Sequence, residues 1–148
     1  MILFVAVYTI LSPAGYLFFA LLLHLGTRDP TRRARRLQRT TAFAYRFMHD
    51  WLRITRIARF DHRTALAEPP VGPCVVVANH PTLMDVSALT AILGGGSTVA
   101  KPALFRRPMI RPLMVGAGHV EGHGDDPLGA ARVVDEAVDR LRGGLDVI

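Results

Sequence analysis

The first 27 residues contain no aspartate, glutamate, lysine or arginine. Ile2 to Leu25 would span about 36 Å as an α-helix, enough to cross the hydrocarbon core of a bilayer. No basic stretch precedes this run and no small-residue cleavage pattern follows it, which argues against a removable secretory leader. Ser12, Pro13 and Gly15 interrupt it midway, so the expectation is a membrane-anchoring segment over 1–27, either one spanning helix or a hairpin dipping into one leaflet. The alternative is a buried core helix.

The next stretch, TRDPTRRARRLQR, sets six arginines (Arg28, Arg32, Arg33, Arg35, Arg36 and Arg39) against Asp29 alone. Arginines beside an apolar anchor favour the cytoplasmic side and attract anionic lipid headgroups, at about 1 kcal/mol per charge near the surface. The whole chain carries a net charge of +6, in keeping with an anionic partner. Nucleic acid is the rival partner, but no recognition-helix or aromatic-interleaved pattern accompanies the arginines. From Thr41 to Phe60 the apolar residues Phe43, Ala44, Phe47, Met48, Trp51, Leu52 and Ile54 recur at three- and four-residue spacing. Arg46, Asp50, Arg53, Arg56 and Arg59 fall on the other side. This predicts an amphipathic helix, lying in the membrane interface or packed on the domain. Residues 28–60 thus form a basic juxtamembrane and amphipathic unit.

The 148 residues leave room for one domain. Cys74 is the sole cysteine, which excludes an internal disulfide and points to a reducing compartment. Beyond Phe60 the chain breaks into short elements: FDHRTAL as a strand, EPPVGP as a turn-rich linker, and CVVVA as a continuous apolar strand of the kind buried on both faces. TLMDVSALTAIL reads as a helix stopped by Gly94, Gly95 and Gly96. STVAK and GHVEG read as strands. Asp126 and Pro127 open a helix that runs to a glycine pair, and LDVI begins another strand. Alternating strands and helices predict an α/β fold, a sheet flanked by helices.

The chemistry concentrates in Val75–Asp85, VVVANHPTLMD. If Val75–Ala78 is a strand and Thr82 caps the next helix, His80 lies in the turn and Asp85 is the third helical residue. Both then lie at the strand's carboxyl end, where open α/β sheets bind ligands. On one unbroken helix five residues would separate them by about 140°, so the turn is what permits contact. An imidazole beside a carboxylate suits a general base and the group that orients it. The competing assignment makes Asp85 a capping residue of the Thr82-x-x-Asp85 type, with Asn79 and His80 satisfying a turn. His119 and His123 have a metal-like spacing, but Gly118, Gly122 and Gly124 oppose the helix that would present them, so no metal is expected. Gly94–Gly96 lack the lysine and hydroxyl of a phosphate-cradling loop. His24, His49 and His62 are isolated and read as surface or interfacial residues.

NHPTLMD resembles the Asn-His-x4-Asp signature of the glycerolipid acyltransferases, the lysophosphatidic acid acyltransferase-like proteins. VAKPALFRRP and GAGHVEG follow in that family's order, so the resemblance covers about residues 50–148. It implies that His80 deprotonates an acceptor hydroxyl, that Asp85 supports it, and that Lys101, Gly118 and Glu121 contact substrate. The hydroxyl would attack the thioester of acyl-CoA or acyl carrier protein, with a lysolipid as acceptor and no other cofactor. Glu121 matches the family's second block, but Gly122 stands where an arginine usually helps to hold the acceptor's phosphate, which leaves room for a phosphate-free acceptor. The Glu-Gly-Thr-Arg block would fall just after Ile148, so 61–148 is expected to be the N-terminal part of an incomplete acyltransferase domain. The alternative is a non-catalytic membrane-binding fragment or degenerate relative.

Overall fold

A computed structural model of the chain describes Leu21 and residues 28–60, 72–79, 82–123 and 126–148. The rest of the expected membrane anchor, 1–27, and almost all of the FDHRTAL strand and EPPVGP linker lie outside these residues. Among the described residues, no helix is long and apolar enough to cross a membrane.

Helix α1 runs without a break from Pro30 to Ile54. This corrects the expected start at Thr41 and end at Phe60. Asp29 is the N-cap, its carboxylate accepting the Thr31 and Arg32 amides at 2.9 and 3.4 Å, and Pro30 fits the first turn because its missing N–H has no helical partner to lose. Arginine is a good helix former, so the basic run is helix rather than tether. At the other end Thr55 caps the helix and Arg56 takes φ 58°, turning the chain away.

The inner face of α1 carries Ala34, Leu37, Gln38, Ala42 and His49, all buried. Small residues let neighbouring backbone come close, and polar ones hold it in place. Gln38 donates to Ser97 Oγ at 3.1 Å and to the Ala117 carbonyl at 2.8 Å, while Arg46 Nε donates to the Ala91 carbonyl at 2.7 Å. Gly95 sits where a Cβ would stand 3.0 Å from that of Gln38, and its φ of 144° is one that side-chain-bearing residues avoid. The outer face is the opposite in character. Phe43, Phe47, Trp51 and Ile54 are 70, 67, 48 and 78% exposed.

Helix α2, Leu83–Leu93, ends as anticipated on Gly94 in the left-handed conformation. Strands β1 (Val99–Ala100) and β2 (Val120–Glu121) pair in parallel, Val99 with Val120 and Ala100 with Glu121. Between them lie two short helices not anticipated from the pattern, α3 (Pro102–Phe105) and α4 (Arg111–Gly116), each with proline in its first turn. Helix α5, Pro127–Arg142, is capped by Asp126 and carries the chain back to the sheet. There Val147 bridges Val75 on one side and Ser97 on the other, so the final segment slots between them.

That order corrects one expectation. The CVVVA segment is not a strand buried on both faces: with the described residues it makes a single bridge, through Val75, and Val75 and Val77 are 58 and 90% exposed. An apolar run of this length signals burial without saying how many neighbours the strand acquires. Val147 lies on one side of it, and no bridge on its other side joins it to a described residue. The core instead gathers Leu37, Ala42, Ala91, Phe105, Met114, Ala117, Val120, Leu145 and Val147 between α1 and the short strands.

His119, just before β2, is structural. Its Nδ1 accepts the Thr98 backbone N–H at 3.0 Å, which places the ring proton on Nε2, and burial lowers its pKa from 6.5 to about 4. A ring held neutral in the fold but free to protonate once unfolded stabilises the protein above pH 6.5. That contribution, about 3 kcal/mol, is lost as pH falls toward 4. Thermal unfolding should therefore show a melting midpoint dropping through this window. In His119→Asn, which keeps an acceptor near the Nδ1 position, the drop should be shallower; an equally steep drop would assign the acid sensitivity to other groups.

Candidate active site

All the pairings between the short strands and bridged segments are parallel, so their carboxyl ends share one edge of the sheet. The segment from Cys74 reaches this edge at Asn79, which is exposed. His80 and Pro81 lie outside the described residues, and Thr82 then opens α2. Since α2 returns the chain toward the start of the next strand segment, its first turn lies at that same edge, bringing Asp85 there.

Asp85 is partly buried. Its Oδ2 accepts the Thr82 backbone N–H at 2.9 Å and the Thr82 hydroxyl at 2.8 Å. The capping assignment is therefore correct as far as it goes, and it does not exclude the other. A carboxylate has two oxygens and about four lone-pair positions, so one oxygen can hold the helix start while the group's charge serves a neighbouring imidazole. The cap fixes where that charge sits.

Lys101 follows β1 directly and precedes Pro102 of α3 as an exposed residue. Glu121 ends β2, opposite Ala100. These two therefore stand on adjacent strands at the edge that carries Asp85. Gly118 does not join them. It lies before β2, at the amino end, with φ 72°, and its carbonyl accepts Arg140 Nε at 2.8 Å. Gly122, just past β2, donates its N–H to the Ala100 carbonyl at 2.8 Å; a Cβ there would meet that oxygen at 3.3 Å. His123 donates from Nδ1 to the Glu121 carbonyl at 2.8 Å. Among the described residues, no group of three or more potential metal ligands comes together.

Cys74 is not poised as a nucleophile. Desolvation first, and the Asp146 carboxylate second, raise its thiol above the ordinary value, and Sγ lies 3.6 Å from Asp146 Oδ1. A thiol so placed stays protonated, which disfavours a covalent route through sulfur.

His49 corrects the surface reading given to it above. It is 1% exposed, its ring stacks on Phe60 with centroids 3.8 Å apart, and its Nε2 lies 2.9 Å from Ser87 Oγ on α2. The signal was present in the sequence: 38, 42 and 49 fall on one face of a helix, with a leucine at 37 beside them. His24 and His62 lie outside the described residues.

Comparison with protein families matches residues 59–148 to the family described as Acyltransferase. No curated relative and no solved structure matches the chain.

Proposed function

The chain belongs to the acyltransferase family, and from that premise we propose that it is a membrane-bound enzyme moving a fatty acyl group from a thioester carrier to a lysophospholipid-type hydroxyl. In this reading His80 takes the proton from the acceptor hydroxyl as the oxygen attacks the thioester carbonyl. The carbon–sulfur bond breaks, an ester forms, and the imidazolium returns the proton to the departing thiolate. Asp85 orients the ring and stabilises its charged form between the two steps. Lys101 and Glu121 line the same edge as substrate contacts, whereas Gly118 would act only through the backbone turn it shapes. Acyl-CoA or acyl carrier protein serves as donor. The observation that carries the reading is that the family match, 59–148, contains the whole NHPTLMD segment, with Asp85 fixed at the start of α2.

The membrane assignment rests on α1. Phe43, Phe47, Trp51 and Ile54 recur at i, i+4, i+8 and i+11, forming one exposed apolar stripe. Toward the amino end, Arg32, Arg35, Arg36 and Arg39 line a groove of about 490 Å³ that reaches Phe43. An apolar stripe continued by arginines suits an interfacial helix among anionic headgroups, with the catalytic part on the cytoplasmic face. Gly122 favours one refinement: with no side chain where an arginine would grip phosphate, a phosphate-free lipid acceptor is the second reading.

The test is product formation by the protein on vesicles containing anionic lipid, supplied with a labelled acyl thioester and lysophosphatidic acid or a neutral lysolipid. The expected result is labelled diacyl product with stoichiometric release of free thiol. Vesicle binding without product from either donor and either acceptor would leave a non-catalytic membrane module.

A further inference from the structure

We propose that His49 and Ser87 are positioning residues for acyl transfer, a polar relay by which α1 fixes the first turn of α2 and thereby the carboxylate of Asp85. The proposal rests on the acyltransferase reading given above. Its geometry stands independently.

Ser87 Oγ lies 2.7 Å from the Met84 carbonyl and 2.9 Å from His49 Nε2. A serine hydroxyl has one proton, and a carbonyl can only accept. The hydroxyl therefore donates to Met84, and His49 donates from Nε2 to Ser87. The chain of donation runs from α1, through Ser87, to the carbonyl of the residue immediately before Asp85. Both side chains are buried, at 1 and 5% exposure, where water cannot substitute for a broken bond and an unpaired polar group is costly. The ring itself is held by its stack on Phe60, interplanar angle 14°. Asp85 N–H bonds to the Thr82 carbonyl at 3.2 Å, so the cap and the relay grip the same turn from its two ends. At its other end α2 stops on a glycine and is tied to α1 by Arg46 at Ala91. What the relay adds is a fixed height and rotation for the turn that carries the carboxylate, and a displacement of about 1 Å at a reacting group costs on the order of 10²-fold in rate.

The experiment uses the complete protein on vesicles and three variants. Ser87→Ala removes the hydroxyl. His49→Phe keeps a stacking ring but loses the donor, and His49→Gln keeps an N–H near the Nε2 position. Ser87→Ala and His49→Phe should lower kcat about 10- to 100-fold with KM for donor and acceptor unchanged, while His49→Gln retains most of the rate. Amide exchange in the first turn of α2 should accelerate about tenfold in the two deficient variants, with α5 unaffected. Unchanged kcat and unchanged exchange in Ser87→Ala would overturn the proposal. So would a loss shared equally by α5, since that is general unfolding. If His80→Ala kept full activity, the base assignment would fall, and the exchange measurement would still decide the relay.

Discussion

Replacing His80 with alanine is expected to slow acyl transfer by on the order of 10²- to 10⁴-fold, the range that a well-placed general base supplies. An unactivated alcohol attacks a thioester poorly at neutral pH, and neither Cys74 nor His119 is suited to take its proton. Cys74 is a protonated thiol beside Asp146, and His119 is sealed on Thr98 at the other end of β2. Vesicle binding should be unchanged, because Phe43, Phe47, Trp51, Arg32, Arg35, Arg36 and Arg39 all lie on α1. Measured together, turnover and sedimentation with vesicles separate the two roles. Loss of binding alongside loss of rate would mean that the NHPTLMD turn serves the membrane rather than the chemistry.

The second large effect concerns Asp85, where two substitutions answer different questions. Asp85→Ala removes the acceptor for the Thr82 amide and hydroxyl, costing about 0.5–2 kcal/mol as caps generally do, and removes the charge as well. Asp85→Asn keeps an oxygen of similar shape for the Thr82 N–H but cannot stabilise an imidazolium. If Asp85 supports the base, Asp85→Asn should melt close to the wild type yet lose activity by on the order of 10²- to 10⁴-fold. If it is a cap alone, Asp85→Asn should be nearly silent in both measurements. Melting midpoints and turnover on the same preparations distinguish these outcomes.

How much of this was legible in the sequence varied with the kind of signal. Elements marked by local chemistry were readable: Thr82 with Asp85 at the start of α2, Gly94 at its end, and Asp126–Pro127 opening α5 each state their role within a few residues. The same signals stand at Asp29–Pro30, where the density of arginine masks them, and α1 begins eleven residues before Thr41. Burial was harder to read. Apolar content made Val75–Val77 look central, whereas the pairing of Val147 with both Val75 and Ser97, which sets the order, is a contact between distant segments that no local pattern encodes. His49 shows the same limit from the other direction. Its polarity suggested surface, and the approach of Ser87 from another helix helps to make a buried imidazole tolerable. As for the site, residue types and spacing offer His80 and Asp85 as a candidate pair, and their roles come from the family resemblance. The parallel register places Glu121 on the strand next to the one that leads into Lys101, and it sets Gly118 at the opposite end.

Whether His80 and Asp85 work as one unit is decided by measuring turnover in four proteins: wild type, His80→Ala, Asp85→Asn and the double variant. A carboxylate that acts only through the imidazole has nothing left to do once the ring is gone, so the double variant should be no slower than His80→Ala alone. If the two losses instead multiply, the residues act independently, and the base-and-partner account is wrong.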